Sequence, residues 1–236
     1  MIRSLFFDLD DTLLDFRKAE RCAVAATLAS FGVPVDDAVL DCYAAINAGY
    51  WRRLERHEVT RDELKVFRFR DLFEACGIRN VSPASVTHAY EEQLGNQPYL
   101  LPGARELLTR LSGRYRLFAA SNGSGRIQRS RLAGAGIADR FEELFLSEEL
   151  GAEKPSAAFF DAVFARCPGL RREETVMLGD SLTSDIAGGS AAGLHTVWFN
   201  PRGAENHTGI HPDAVLTRLE DTETLLAERF PACTPR

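Results

Sequence analysis

No apolar run in these 236 residues approaches the roughly 20 that a bilayer span requires. No basic segment followed by an apolar stretch opens the chain, so no secretory signal is expected. Positive charge is in deficit: 28 Lys and Arg against 34 Asp and Glu give a net charge of −6. An acidic surface attracts neither a nucleic-acid polymer nor an anionic membrane, so neither is expected as a partner. Cysteine is sparse. Cys22, Cys42, Cys76, Cys167 and Cys233 are scattered, odd in number and without a C-x-x-C pair. That argues against a disulfide frame or zinc site and for reduced core thiols in a cytoplasmic protein. His207 and His211 have a spacing that suits a metal on a helix, but Thr-Gly-Ile-His-Pro reads as loop, and further ligands would be needed. Internal repeats and low-complexity tracts are also missing. What remains is 45% apolar residues, enough for a substantial core, and 26% charged residues, which argue against disorder. The length fits one large domain, or a core domain carrying an insertion.

Two textures alternate along the chain. From Asp15 to about Gln97 the pattern is helical, with segments at Ala19–Phe31, Val35–Glu58, Arg61–Cys76 and Pro83–Leu94. The separators between them carry turn and N-cap residues. From Leu101 onward short apolar strands alternate with helices. Strands are expected at Tyr115–Ala120, Glu143–Ser147, Thr175–Leu178, Thr196–Phe199 and Ala214–Leu216, in the pattern of a parallel sheet covered on both faces. The first strand, Ser4–Asp8, precedes them by about 90 residues, far more than an ordinary βα connection. The economical fold is α/β: a Rossmann-like doubly wound parallel sheet with an all-helical cap inserted after its first strand. Residues 1–14 and 99–236 would form the core, and 15–98 the cap.

Four segments carry the chemistry. Leu5-Phe6-Phe7 runs directly into Asp8-Leu9-Asp10-Asp11-Thr12, which sets carboxylates where a buried strand meets a turn. Strand carboxyl ends are where ligands bind in open α/β sheets. Carboxylates crowded there need a cation, a proton or a lysine to be tolerated. A hard, oxygen-seeking ion such as Mg²⁺ is the usual solution. The blander account makes Asp10 and Asp11 turn and cap residues. Ala119-Ala120-Ser121-Asn122-Gly123 ends a strand with a hydroxyl, an amide and a glycine, which can serve an anion or simply a turn. Glu153-Lys154-Pro155-Ser156 opens the helix Ala157–Arg166, with Pro155 suited to its first turn and Lys154 just before it. Lys154 would reach toward the sheet edge, or else be a solvated surface lysine. Finally Val176-Met177-Leu178-Gly179-Asp180 repeats the first pattern, with Asp185 five residues on. Gly179 would let the backbone approach a ligand closely. A capping Asp180 and a solvated Asp185 would explain one acidic strand end, but two in the same sheet poorly.

With these four segments, in this order, the chain resembles the haloacid dehalogenase-like hydrolases over essentially its whole length. D-x-D-x-T is met by Asp8, Asp10 and Thr12, the hydroxyl by Ser121, the lysine by Lys154, and the paired acids by Asp180 and Asp185. The resemblance implies that Asp8 is a nucleophile forming an aspartyl-phosphate and that Asp10 is the general acid, then base. It implies Mg²⁺ held by the carboxylates of Asp8 and Asp180 and the backbone carbonyl of Asp10, with Asp185 in or near the shell. Ser121 and the Asn122 N–H would bind phosphoryl oxygens. Lys154 would balance the remaining charge. Asp11 and Asp15 receive no catalytic role.

Asp10 narrows the reaction. The dehalogenases of the family lack an acid/base aspartate two residues after the nucleophile, so Asp10 favours phosphate esters, while sugar phosphomutases share both acids. The helical insertion resembles caps that close on small phosphorylated metabolites. Within the family the chain looks most like the pyrimidine 5′-nucleotidases. The matching stretches are Ile46-Asn47 with Tyr50-Trp51, Leu101-Pro102-Gly103-Ala104, Ser147-Glu148-Glu149-Leu150-Gly151 and Trp198-Phe199-Asn200. Asn47 would then pair with a base edge and Trp51 stack on it, although Tyr50 and Trp51 also read as packing aromatics. Phosphoglycolate or a sugar phosphate is the alternative substrate. A phosphoacceptor signalling domain is the alternative class, but such domains are about half this length and lack the insertion. A scaffold without activity is disfavoured because no motif residue is missing. The expected partner is a small phosphorylated metabolite, bound by a monomer or homodimer.

Overall fold

The computed structural model describes residues 1–230. Cys233 lies outside them. The chain divides into two compact units, Met1–Asp15 with Leu100–Arg236, and Phe16–Tyr99.

The first unit is built on six parallel strands: β1 Ser4–Phe7, β2 Arg116–Ser121, β3 Glu143–Leu146, β4 Thr175–Gly179, β5 His195–Phe199 and β6 Ala214–Leu216. Their order across the sheet is β3-β2-β1-β4-β5-β6, so the sheet is doubly wound about β1. The strands are nearly continuous apolar runs because both faces are covered. Leu5, Phe7, Leu117, Ala119, Val176, Leu178, Val197 and Phe199 feed one buried layer. The alternating residues Phe6, Phe118, Ala120, Phe145 and Met177 feed the other. In that second layer the Phe6 ring stands 5.2 Å edge-on from Phe118 and 5.8 Å from Phe145.

The second unit contains four helices: α1 Phe16–Ser30, α2 Asp37–Glu55, α3 Arg61–Cys76 and α4 Pro83–Gly95. The expected Val35–Glu58 helix is shorter because Asp36 caps it, its carboxylate accepting from Val39 N at 2.9 Å. Its exit passes through His57 in the left-handed region at φ 57°. Thr60 and Glu63 form a reciprocal capping box at the start of α3, and Gly77 ends that helix at φ 66°. Tyr43, Phe69 and Tyr90 form the aromatic centre, with ring separations of 5.0 to 5.7 Å. Cys22, Cys42, Cys76 and Cys167 are free and partly buried rather than core thiols. Among the described residues no helix is long and apolar enough to cross a membrane.

The remaining helices belong to the sheet unit: α5 Ala104–Leu111, α6 Gly125–Gly134, α7 Ser147–Leu150, α8 Ala157–Arg166, α9 Ala187–Ala191 and α10 Thr222–Arg229. Pro155 does not enter the first turn of α8. Ser156 is the N-cap, accepting from Phe159 N at 3.3 Å, and Pro155 precedes it.

Candidate active site

Asp8, Ser121 and Asp180 are delivered by the carboxyl edge of the sheet. β1 pairs with β4 in the register Phe7↔Leu178, and Asp8 N donates to Leu178 O at 2.9 Å. Asp8 and Asp180 therefore leave adjacent strand ends. The chain departs from β1 toward β2 on one side and meets β4 on the other, the topological switch where open sheets bind ligands. Asp180 is not a cap. That function belongs to Ser181, whose Oγ accepts from Ser184 N at 3.1 Å at the start of a π-helical turn, Leu182–Ile186. The turn carries Asp185, which is 1% exposed rather than solvated. Its Oδ2 accepts from Ser181 N at 3.0 Å.

Two glycines make this packing possible. A Cβ on Gly179 would lie 2.2 Å from Asp185 Oδ2, so the close approach that Gly179 permits is by the Asp185 carboxylate. A Cβ on Gly188 would lie 2.8 Å from the Pro155 Cα, so this glycine lets α9 pack beside the Lys154 loop.

Lys154 is 2% exposed, not a surface lysine. Its ammonium donates to Ala120 O at 2.5 Å, Asp185 Oδ1 at 2.6 Å and Asp8 Oδ1 at 2.8 Å, a complete set of three acceptors for three protons. Asn122 fastens the loop to the end of β2: its Nδ2 donates to Lys154 O at 2.8 Å and its Oδ1 accepts from Lys154 N at 2.9 Å. Burial opposes the charge on Lys154, but Asp185 and Asp8 outweigh it and raise its pKa above the ordinary lysine range. Asp8 is raised by burial from 3.8 to about 7; Lys154 pulls it down, and Asp185 and Asp10 push it further up. Burial, then Asp8 and Asp185, pushes Asp180 well above the usual carboxylate range.

Asp8, Asp180 and Asp185 each offer a carboxylate oxygen, all within 4.8 Å of one another. Three clustered carboxylates, when ionised, carry more negative charge than the one ammonium of Lys154 offsets, and the raised pKa values of Asp8 and Asp180 reflect burial together with that crowding. Hard oxygen donors and that charge fit a divalent cation such as Mg²⁺. The Asp10 carboxylate is not in this cluster. It turns toward α6, where Arg131 Nη1 donates to Oδ1 and Gln128 Nε2 donates to Oδ2 at 2.6 Å. Ser121 is buried at the end of β2, and its Oγ accepts from Gly123 N and from Gln128 Nε2, both at 3.0 Å.

Asn47 and Trp51 lie in the helical unit. Asn47 is 2% exposed, with its Nδ2 donating to Glu20 Oε1 at 2.6 Å and its Oδ1 accepting from Arg68 at 3.1 Å. Trp51 packs on the Tyr50, Leu54, Val59 and Leu64 cluster, with the Arg61 guanidinium 5.8 Å from its ring centre. His207 and His211 are exposed and outside the acidic cluster; His207 stands 3.3 Å from Glu205. Gln128 and Arg131 escaped the sequence reading. Their three-residue spacing puts them on one helix face, but Arg126 and Arg129 in the same stretch look alike in sequence.

A buried carboxylate–ammonium centre at the switch of a doubly wound sheet defines the class, and comparison with known proteins gives the family. Residues 2–193 match the haloacid dehalogenase-like hydrolase model, and the chain belongs to that family of hydrolases. It is 41% identical over 218 residues to the pyrimidine 5′-nucleotidase PynA of Streptococcus pneumoniae, covering 92% of each chain. It is 30% identical to the pyrimidine 5′-nucleotidase YjjG of Escherichia coli, covering 95% of this chain and 97% of that one. The crystal structure of the putative hydrolase YfnB of Bacillus subtilis, bound to magnesium, superposes with a TM-score of 0.91. That match is at 36% identity and covers 95% of this chain and 98% of the other.

Proposed function

We propose that the chain is a Mg²⁺-dependent phosphate monoester hydrolase working through an aspartyl-phosphate on Asp8, with nucleoside 5′-monophosphates, pyrimidine ones first, as substrates. The observation that carries the phosphatase reading is the pairing of Asp8, buried against Lys154, with Asp10 two residues on, outside the acidic cluster. One carboxylate is held for attack and the other is kept apart for proton transfer. The nucleotide preference rests on similarity to PynA and YjjG across nearly the whole chain.

In the first displacement an Asp8 carboxylate oxygen attacks phosphorus and the ester P–O bond breaks. Asp10 gives its proton to the departing alkoxide. In the second, Asp10 takes a proton from water, the water oxygen attacks the same phosphorus, and the bond to Asp8 breaks. Inorganic phosphate and the free Asp8 carboxylate result. The Ser121 hydroxyl and the Asn122 N–H hold phosphoryl oxygens, and Lys154 keeps the nucleophile oriented. Asp8, Asp180 and Asp185, with the Asp10 carbonyl, would hold the divalent ion, which when bound supplies charge stabilisation for the transferring phosphoryl group. Asn47 and Trp51 are assigned to selection of the base. Residues 1–14 and 99–236 act as the catalytic core in this reading and 15–98 as the cap.

Phosphate release with Mg²⁺ tests it, comparing uridine and thymidine monophosphates with nucleoside triphosphates, phosphoglycolate and common sugar phosphates. The monophosphates are expected to turn over fastest. Nucleotides no better than the small acids would make the chain a phosphatase of another specificity. Full activity in excess chelator would remove the metal from the mechanism.

A further inference from the structure

We infer that Gln128 and Arg131 are positioning residues that together set the Asp10 carboxylate and the Ser121 hydroxyl for their separate tasks. This rests on the reading of Asp10 as the acid/base. Both residues come from the inward face of α6, where Gln128 is 1% and Arg131 0% exposed. A guanidinium only donates hydrogen bonds. Arg131 Nη1 donates to Asp10 Oδ1 and also to Gln128 Oε1, the latter at 3.1 Å. The second bond fixes which end of the Gln128 amide faces the arginine. Nε2 is then presented to the other side, where its two protons meet Asp10 Oδ2 at 2.6 Å and Ser121 Oγ at 3.0 Å.

Two consequences follow from this donor–acceptor arrangement. Asp10 is gripped by both oxygens, one from each α6 residue, so its side chain is fixed in direction. Ser121 Oγ accepts from Gln128 Nε2 and from Gly123 N. A hydroxyl has two acceptor sites and one proton. With both acceptor sites used, Ser121 can engage a ligand only as a donor, the polarity a phosphoryl oxygen requires. The orientation passes from Arg131 through Gln128 to both groups. Gly123 belongs to the same device: a Cβ there would lie 2.4 Å from Gln128 Nε2, so only glycine leaves the amide where it is.

A positioning role predicts a discrimination that a merely structural one does not. A nitrophenyl ester departs without needing a proton, whereas an alkyl ester needs Asp10. Saturating single-turnover release of the leaving group is compared for nitrophenyl phosphate and an alkyl phosphate in Gln128→Met, Arg131→Met and Asp10→Asn. In both α6 variants the alkyl-to-nitrophenyl rate ratio is expected to fall by about tenfold or more, a part of the roughly 10²–10⁴-fold that general acid–base catalysis contributes. Placed on Asp10→Asn, either change should alter the ratio by less than about twofold, the sign of action through one group. Gln128→Met, which also releases Ser121, should in addition raise KM for both esters. Gly123→Ala keeps both side chains and should reproduce the fall in ratio, so poor folding of one variant does not leave the question open. Equal slowing of both esters in Gln128→Met, Arg131→Met and Gly123→Ala, or full additivity with Asp10→Asn, overturns the inference while leaving Asp10 in its role. An unchanged ratio in Asp10→Asn itself overturns the acid/base reading and the inference with it.

Discussion

Lys154 Nζ lies 2.6 Å from Asp185 Oδ1, and each side chain is only 1% exposed. Lys154 is the cation that lets Asp8 and Asp185 share a buried site. Removing one partner of a buried pair leaves the other charge without compensation, at a cost of about 3–5 kcal/mol. Lys154→Met should therefore lose stability of that order in urea unfolding without metal. Asp185→Asn should lose less, because it removes one carboxylate from a crowded acidic cluster and leaves Lys154 its bond to Asp8. Equal effects from the two substitutions would contradict this account of the charge balance.

The raised Asp8 pKa has a direction that can be worked through. Folding holds Asp8 protonated up to about 7, whereas the unfolded chain releases that proton near 3.8. Its contribution to stability is therefore present below 3.8, declines as pH rises, and is gone above about 7. Asp8→Asn is neutral throughout and should show no such decline. In metal-free protein the variant's stability advantage should be smallest at the acid end and largest above neutrality. Mg²⁺ binding must displace the Asp8 proton and that of Asp180, whose pKa is raised as well, so apparent affinity of the wild type should rise with pH through neutrality. Thermal unfolding and Mg²⁺ titration across this range check both. Turnover in Asp8→Asn should fall by about a thousandfold or more, as for loss of a nucleophile. A pH-independent Mg²⁺ affinity would remove the linkage.

The strands were legible because β1, β4 and β5 are buried on both faces, and such runs stand out from any helical period. The acidic ends were legible because Asp8 and Asp180 directly follow those runs. Helix ends were harder: Val35–Glu58 became Asp37–Glu55 because one side-chain bond from Asp36 decides where the helix starts. Pro155 fell outside α8 because Ser156 took the cap. The assignment of Gly179 to a ligand missed that Asp185 fills the space. Gln128 and Arg131 were invisible, since their importance comes from what α6 packs against, the Asp10 carboxylate more than a hundred residues earlier.

Gly179→Ala tests that packing. The added Cβ would meet Asp185 at 2.2 Å from Oδ2 and 2.7 Å from Cβ, so the carboxylate must move or the strand must shift. Overpacking of this kind costs about 1–3 kcal/mol. Asp185 would also leave its 2.6 Å contact with Lys154, and activity should fall more steeply than stability. Full activity with wild-type stability would mean that Asp185 can move without consequence.

Asn47→Ala separates a packing role from selection of substrate. The Asn47 amide bridges Glu20 and Arg68 inside the helical unit, and Arg68 itself is 5% exposed. Truncation leaves both charged groups short of a partner, at a cost of about 1–3 kcal/mol, seen as a lower unfolding midpoint. That loss alone would affect every substrate alike. If Asn47 also selects the base, kcat/KM should fall further for uridine monophosphate than for phosphoglycolate, which has no base to recognise. Trp51→Ala, which removes a ring from the Tyr50 and Leu64 cluster, should show the same asymmetry if stacking operates. Equal losses on both substrates in both variants would assign the two residues to the packing of the helical unit and move base selection elsewhere.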